Sequence, residues 1–409
     1  MIGNRNAALQ QEVKMSSQKP EIAIVGAGMG GLTAAAALLR RGFKVQVYEQ
    51  AERFLRIGAG IQMAANPMKV LRALGLEDRL RKTAFQHRAR LHRDYDTGRI
   101  NSEFDMYSVE QKYGAPHLMM HRGDLHAALL SLLPPDVVHL NKKLKRFEQD
   151  ADGVTLHFID GTQARADALV GADGVHSVVR SQLFGNESPN YTGRLAYRAT
   201  FPAHLLKGVD IGDVATKWWG PDRHIVIYYI TAQKDEVYFT TSIPAEKPDL
   251  ESWSLKGDLG ELRAAFKDFH PDVRAVLDAC PDTHKWPIYD REPQRSWGNG
   301  RVYLLGDACH PMTPYMAQGA ASAIEDAAVL ARCFEGIDKA GVNGAFRQYE
   351  ATRLPRASKI QSLSHLNKRE WMRVDAAAPE AGTKEKADPG WVYGYDAWTA
   401  PLANPEMAV

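Results

Sequence analysis

The sequence predicts an α/β protein with a parallel-sheet domain, a β-rich insertion that splits it, and long C-terminal helices. Three observations predict it. An apolar run of strand length at 22–25 enters a glycine turn and an alanine-rich helical segment, and an alternating strand follows at 44–48. Residues 186–245 are dense in Trp, Tyr, Val, Ile and Thr, the composition of half-buried strands. Helix-period patterns return at 319–334 and from 344 to about 371.

The 409 residues leave room for two domains. A hydrophobic fraction of 44% and a charged fraction of 24% exclude a disordered or collagen-like chain. Lys+Arg and Asp+Glu number 51 and 49, so no broad basic surface favours nucleic acid or an anionic membrane. Cys280, Cys309 and Cys333 form no CxxC pair and leave one thiol over in any disulfide scheme, which points to a reducing, cytoplasmic setting. No apolar stretch near the start is long enough to span a bilayer, and the polar residues 1–19 read as a disordered tail.

Along the chain, Gly42 ends the first helix. A second helix is expected over 67–74, with Asn66 as its cap and Pro67 in its first position. A third is expected over 124–133, and 88–113 reads as strands and loop. Strands follow at 154–158 and 166–170, separated by the turn Asp160-Gly161. The insertion carries strands at 223–231 and 236–243 and one helical stretch over 259–280, a buried strand returns at 301–305, and the last thirty or so residues look irregular.

The first chemical motif is Gly26-x-Gly28-x-x-Gly31 between strand and helix, with Glu49 eighteen residues past the last glycine. Gly26 permits the tight turn, Gly28 lets amides approach a pyrophosphate, Gly31 lets helix pack on strand, and the helix N-terminus adds partial positive charge. Glu49 can accept both hydroxyls of an adenosine ribose. This is a Rossmann-like dinucleotide unit, and by itself it does not choose between NAD and FAD.

Two later segments do. Gly171-Ala172-Asp173-Gly174 with Ser177 and Arg180, and Gly306-Asp307-Ala308-x-His310-Pro311, resemble the second and third fingerprints of single-component FAD-dependent aromatic hydroxylases, the class A flavoprotein monooxygenases. The resemblance covers roughly residues 20–370. It implies an FAD-binding domain at 20–87, 115–185 and 285–370, a substrate domain at 88–114 and 186–284, and a C-terminal segment at 371–409. It also implies FAD held by Gly26, Gly28, Gly31, Glu49, Gln50, Asp173, Gly306 and Asp307, the last on the ribityl chain, with Arg122 at the flavin. Read without the family, Asp307 is a turn cap and Arg122 is a surface ion partner of Asp124. The absence of a second GxGxxG suits NADH or NADPH as a transient co-substrate, and O2 completes the reaction through a flavin C4a-hydroperoxide. From Pro311 to Gly319, through the cofactor candidate Pro314, the chain runs irregularly into a helix beginning Gly319-Ala320-Ala321-Ser322-Ala323, whose small residues let N-terminal amides approach a reduced, anionic ring.

On the substrate side, alternation over 223–229 puts His224, Val226 and Tyr228 on one strand face and Arg223, Ile225, Ile227 and Tyr229 on the other. An imidazole and a phenol so placed can bind and polarise a ring hydroxyl; packed structural residues are the plain alternative. The resemblance makes His224 and Tyr228 the catalytic candidates, and Gln62, Ala215, Val226, Tyr238 and Tyr315 the substrate pocket. Gln62, Ala215, Val226 and Tyr315 stand where the most similar hydroxylases carry His, Cys, Met and His. A four-residue loop at 232–235 pairs Tyr238 with Tyr229, so Tyr238 reaches the Tyr228 face only through a bulge or an odd-length loop.

The implied reaction is hydroxylation of a hydroxypyridine carboxylate, 6-hydroxynicotinate or 6-hydroxypicolinate, at C3, para to the ring hydroxyl. The rivals are a salicylate-type hydroxylase and a flavin redox protein that does not hydroxylate. His117, His121 and His126 lack metal-site spacing, so no metal is expected. The expected assembly is a monomer or homodimer.

Overall fold

The computed structural model describes residues 18–56, 59–246, 255–371 and 388–407. The expected tail lies outside the described residues except for 18–19, as does 372–387 of the expected C-terminal segment.

The glycine-turn unit builds one edge-to-edge set of strands. Glu21–Val25 pairs in parallel with Lys44–Tyr48 on one side and Ala168–Gly171 on the other. Val302–Leu304 and Val138–His139 extend this to a six-stranded sheet closed by the short antiparallel strand Gly298–Asn299. Past Glu21 its central strands are apolar and buried, as a sheet covered on both faces requires. Helix Met29–Arg40 packs on helix Gly319–Cys333. The two approach closely because the contact is built of small residues: a Cβ on Gly30 would stand 2.5 Å from Leu305 Cδ2 and 3.1 Å from Ala323 Cβ.

The insertion forms an eight-stranded sheet in the order Leu255–Lys256, His284–Asp290, Asn190–Pro202, Glu236–Pro244, His224–Tyr229, Val214–Trp219, Ala89–Asp94, Ile100–Asp105. One face, carrying Leu195, Tyr197, Ile225, Ile227, Val237 and Phe239, is buried under helices Leu259–Ala265 and Pro271–Ala279. The other face looks toward the parallel-sheet half.

Several expectations change. The helix expected over 67–74 is Ala65–Ala73, capped at Ala64; Asn66 lies inside it, with its side chain donating to Gln318 Oε1 and Glu325 Oε1 at 2.9 and 2.7 Å. A buried carboxylate claimed the amide that local pattern assigned to a cap. The stretch read as strands and loop holds a short helix, Ser108–Tyr113, ended by Gly114 at φ 82°. Met106, Val109 and Ala115 belong to the core of the parallel-sheet half. The single helix expected over 259–280 is two, because Pro271 starts a new helix and lacks the N–H to continue the old one. Strand His284–Asp290 pairs with Asn190–Pro202, so the eight-stranded sheet continues past the expected boundary at 284. The last residues are less irregular than expected: Pro389–Tyr393 is helical, and Ala397 is buried in the main core.

The hairpin register also differs. The ladder continues through Ile230 N–H to Glu236 O at 3.1 Å, which leaves five loop residues, 231–235. Tyr228 therefore faces Tyr238, and Tyr229 faces Val237. This is the odd-length loop that places Tyr238 on the Tyr228 face, in place of the four-residue loop expected at 232–235.

Polar side chains lock the halves of the core. Glu325 and Asp326, both without solvent exposure, meet Arg353 and Arg356 from helix Val342–Trp371. Arg353 donates from Nε to Asp326 Oδ1 at 2.7 Å, and Arg356 donates from Nε to Glu325 Oε2 at 2.9 Å. Breaking a buried pair on one side costs roughly 3–5 kcal/mol, because the remaining charge is stranded. Arg353→Leu is expected to lower the thermal midpoint by about 5 °C; a melting curve like the parent's would show that the pair carries no stability.

Candidate active site

The glycine loop is shaped by its own backbone. A Cβ on Gly26 would stand 2.3 Å from Ala172 O and one on Gly31 2.0 Å from Gly26 O, so neither position admits a side chain. Gly26 also sits at φ 102°. A Cβ on Gly28 would meet nothing within 4 Å, so this position faces open space at the N-terminus of helix Met29–Arg40. Glu49 closes the loop: its carboxylate accepts Ala27 N–H at 2.8 Å and Ala51 N–H at 2.9 Å. Gln50 beside it is exposed. His126 Nε2 bonds Ala27 O at 2.8 Å and braces the loop from below.

Asp173 departs from expectation. Its carboxylate accepts Ser177 Oγ and the amides of Val178 and Val179, at 2.8 and 3.2 Å for the amides, so it caps helix Val178–Phe184. Its backbone lies against Gly26, and it shapes the turn rather than offering a free carboxylate. Gly306, at φ 65°, donates its N–H to Asp326 Oδ2 at 3.1 Å.

Asp307 and Arg122 face each other across a cleft. Both side chains are reachable by solvent, yet protein encloses them closely enough that burial raises the Asp307 pKa and lowers that of Arg122. Each eases the other's shift electrostatically, and they stand too far apart to form an ion pair. Arg122 is not the surface partner of Asp124, because Arg56 takes Asp124 at 2.7 and 3.0 Å. Asp307 Oδ1 lies 3.9 Å from where a Gly319 Cβ would be, so carboxylate, guanidinium and the N-terminus of helix Gly319–Cys333 converge. Ala320 is partly accessible there, and Pro314, in the turn Pro314–Met316, is exposed. An open glycine, the Glu49 carboxylate at the end of the second strand, a second carboxylate in the cleft and a helix N-terminus make a set that fits an extended dinucleotide with an anionic ring system.

The inward face of the eight-stranded sheet forms the opposite wall. Register sets its side chains in rows: Trp219–His224–Ser242, Lys217–Val226–Thr240–Arg198, and Tyr228–Tyr238–Thr200. The outer rows are packed, with His224 5% and Tyr228 and Tyr238 each 2% exposed. The middle row, Lys217, Val226, Thr240 and Arg198, is partly accessible throughout, and so faces the void. Tyr228 and Tyr238 make an edge-to-face pair at 5.1 Å and share a cluster with Ala215, Ala59, Phe85 and Met119. Gln62, on strand Gly60–Met63, hydrogen-bonds the Tyr228 hydroxyl. Gly60 is fixed by this packing, since a Cβ there would stand 2.6 Å from Tyr238 Cδ1. Tyr315 reaches over from the turn after the third fingerprint; its ring lies 6.2 Å from that of His224, and its hydroxyl 3.3 Å from Ser242 Oγ.

Burial, with Lys217 and then Arg194 nearby, holds the His224 pKa well below the usual imidazole range, so the ring is neutral at pH 7. Burial and the neighbouring Tyr238 push Tyr228 well above the usual phenol range, so it keeps its proton. The wall therefore offers one neutral acceptor and one neutral donor.

The sequence reading passed over Arg194, Arg198 and Thr240. A charged residue in the alternating run Leu195-Ala196-Tyr197-Arg198-Ala199-Thr200 was the available signal, but only the register shows which void it faces. The three histidines considered for metal are separated in role: His121 caps helix Arg122–Leu130, His126 bonds Ala27, and His117 packs on His87. Among the described residues one trio has metal-ligand spacing, Cys309, His310 and Asp326. His310 Nε2 and Asp326 bond each other at 2.6 Å, burial keeps the Cys309 thiol protonated, and His310 Nδ1 is buried without a hydrogen-bond partner. No helix among the described residues is long and apolar enough to cross a membrane.

Comparison with known proteins agrees with this geometry. A family model for an FAD binding domain matches residues 19–364. The chain is 44% identical over 394 residues to 6-hydroxynicotinate 3-monooxygenase of Pseudomonas fluorescens, a match covering 96% of this chain and 99% of that one. It is 43% identical over 393 residues to the protein of the same name from Bordetella bronchiseptica, covering 95% and 99%. The crystal structure of Klebsiella pneumoniae HpxO complexed with FAD and uric acid is similar at a TM-score of 0.77 and 30% identity, over 86% of this chain and 88% of that one. Fingerprints, fold and near full-length relatives concur, and the chain belongs to the FAD-binding-domain family as one of its flavin-dependent aromatic monooxygenases.

Proposed function

We propose that this enzyme hydroxylates a hydroxypyridine carboxylate, 6-hydroxynicotinate or 6-hydroxypicolinate, at C3, para to the ring hydroxyl, using NADH or NADPH and O2. The observation that carries the reading is the pairing of a neutral His224 and a protonated Tyr228 on the wall opposite the Asp307, Arg122 and Gly319 cleft. The names of the most similar relatives support the pyridine ring. In this reading the six-stranded half holds FAD and the eight-stranded half binds substrate. Three buried free thiols suit a cytoplasmic enzyme.

Bound FAD, reduced by the nicotinamide co-substrate, supplies the activated oxygen. The protein's own part is positional and electrostatic. Gly26, Gly28 and Gly31 admit the pyrophosphate, Glu49 turns to the adenosine ribose with Gln50 beside it, and Asp307 takes the ribityl hydroxyls. Gly306 and Asp173 hold the two turns in shape. The amides of Gly319 and Ala320 and the Arg122 guanidinium stabilise negative charge on the ring system, and Pro314 shapes the approach.

His224 accepts the ring hydroxyl proton in a hydrogen bond and Tyr228 donates to the same oxygen, which raises electron density at the para carbon. Placing a full positive charge on His224 in this buried site is unfavourable, so the substrate's own anion must neutralise it. Gln62 orients Tyr228, Tyr315 packs beside His224, Tyr238 and Ala215 close the apolar side, and Val226 meets the ring face.

Three outcomes follow from these roles. Purified protein is yellow with noncovalent FAD, and Glu49→Ala and Asp307→Ala each weaken FAD retention on a desalting column; full retention by both variants defeats the assignment of the two cofactor ends. His224→Ala and Tyr228→Phe keep the FAD spectrum while slowing hydroxylation by about 10²- to 10⁴-fold. Parent-like turnover by both would make that strand face structural. Side-by-side turnover of the two acids, with products weighed by mass spectrometry, identifies the substrate: loss of carbon dioxide marks 6-hydroxynicotinate, retention marks 6-hydroxypicolinate, and hydroxylation of salicylate alone removes the pyridine reading.

A further inference from the structure

Two guanidiniums stand on the inward face of strand Asn190–Pro202, and the protein uses only one of them. Arg194 donates from Nε to Ser242 Oγ at 3.0 Å and from a terminal nitrogen to Ser242 O at 2.8 Å, and it also bonds Tyr315. Arg198 lies two side chains along the same face. Its Nε is fully buried and has no hydrogen-bond partner, and among the described residues no carboxylate comes within ion-pairing distance of it. The groups whose charge it feels are the hydroxyls of Tyr238 and Tyr228 and the cation Arg122, none of them an anion at pH 7. Its guanidinium carbon sits over the Trp286 ring, 3.9 Å from the ring centre, and its row faces the void between Thr240 and strand His284–Asp290.

A buried cation without a counterion is costly, and folded proteins hold one where a ligand brings the missing charge. A planar guanidinium fixed on an indole keeps its fork pre-oriented for a planar carboxylate. We infer that Arg198 binds the substrate carboxylate and selects for ring acids over uncharged rings. The inference rests on the proposed function for the ring itself, and assigns the group that fixes the ring's far end while His224 and Tyr228 hold its hydroxyl. Stacking on Trp286 alone would make Arg198 structural, and the test separates the two.

In the FAD-loaded enzyme, 6-hydroxynicotinate, 6-hydroxypicolinate and uncharged 2-hydroxypyridine are titrated against the absorbance of the bound flavin. Arg198→Gln is expected to raise the Kd of the acid that binds by about 10- to 100-fold, the worth of a charge-assisted hydrogen bond, while 2-hydroxypyridine stays within about twofold. Arg198→Lys, which keeps the charge without the fork, is expected to fall between. Equal loss for acid and uncharged ring, or no loss for either, overturns the inference. Should Arg198→Gln fail to hold FAD, the parent enzyme decides: the acid must bind at least about tenfold more tightly than its carboxamide, and equal affinity overturns the inference. If salicylate binds and neither pyridine acid does, loss of salicylate but not phenol in Arg198→Gln keeps the carboxylate role while the pyridine reading falls. A flavin spectrum that answers to none of these acids removes both.

Discussion

Two adjacent carboxylates on one helix, Glu325 and Asp326, are wholly withdrawn from solvent, and much of the molecule is arranged to keep them charged. Burial works against ionisation, but Arg356 and Arg353 outweigh it at Glu325, and His310 and Arg353 outweigh it at Asp326, so both pKa values lie below the usual carboxylate range. The two carboxylates then tie different segments together. Glu325 takes Asn66 from helix Ala65–Ala73, and Asp326 takes His310 and the Gly306 amide from the third fingerprint. Arg356 reaches on to the carbonyls of Trp391 and Val392 and docks the C-terminal helix. The turn that presents Asp307 is thus anchored from behind by charges it does not display.

That anchoring explains how small residues can line the cofactor cleft. A helix beginning Gly319-Ala320-Ala321 has no large side chains to hold its first turn in place, and an open N-terminus is useful only if it does not move. Its position comes from the next two turns, where the carboxylates and Arg353 fix it to the long C-terminal helix. The cleft itself can then stay open and polar, with Asp307 and Arg122 accessible and facing across it.

The opposite wall divides its labour by rows. Packed rows carry His224 and Tyr228 in fixed protonation states, and the row between them is partly accessible. Tyr228 is held from two sides, by the Tyr238 ring and by Gln62, and Tyr315 is held by Ser242 and Arg194. Gln62 and Tyr315 thus each present a neutral group already engaged by the protein. Ala215, by contrast, adds no donor and leaves room beside the Tyr228 ring.

The sequence by itself determined the elements whose cause is local. The glycine turn with Glu49 was legible because each residue answers to backbone geometry a few positions away. Strand phase likewise put His224, Val226 and Tyr228 on one face without any partner strand. Tertiary structure alone decided what depends on register and on distant partners. Tyr238 joined the Tyr228 face because the loop holds five residues rather than four, a choice of hairpin geometry that side-chain alternation does not encode. Asn66 left its expected cap because Glu325, 259 positions away, offered a buried charge. Asp173 turned from a binding carboxylate into a helix cap, and Arg198 emerged from an ordinary-looking strand to face the void. For Asn66, Asp173 and Arg198 the deciding energy is the desolvation of a polar or charged group, and that is set by what the fold brings beside it.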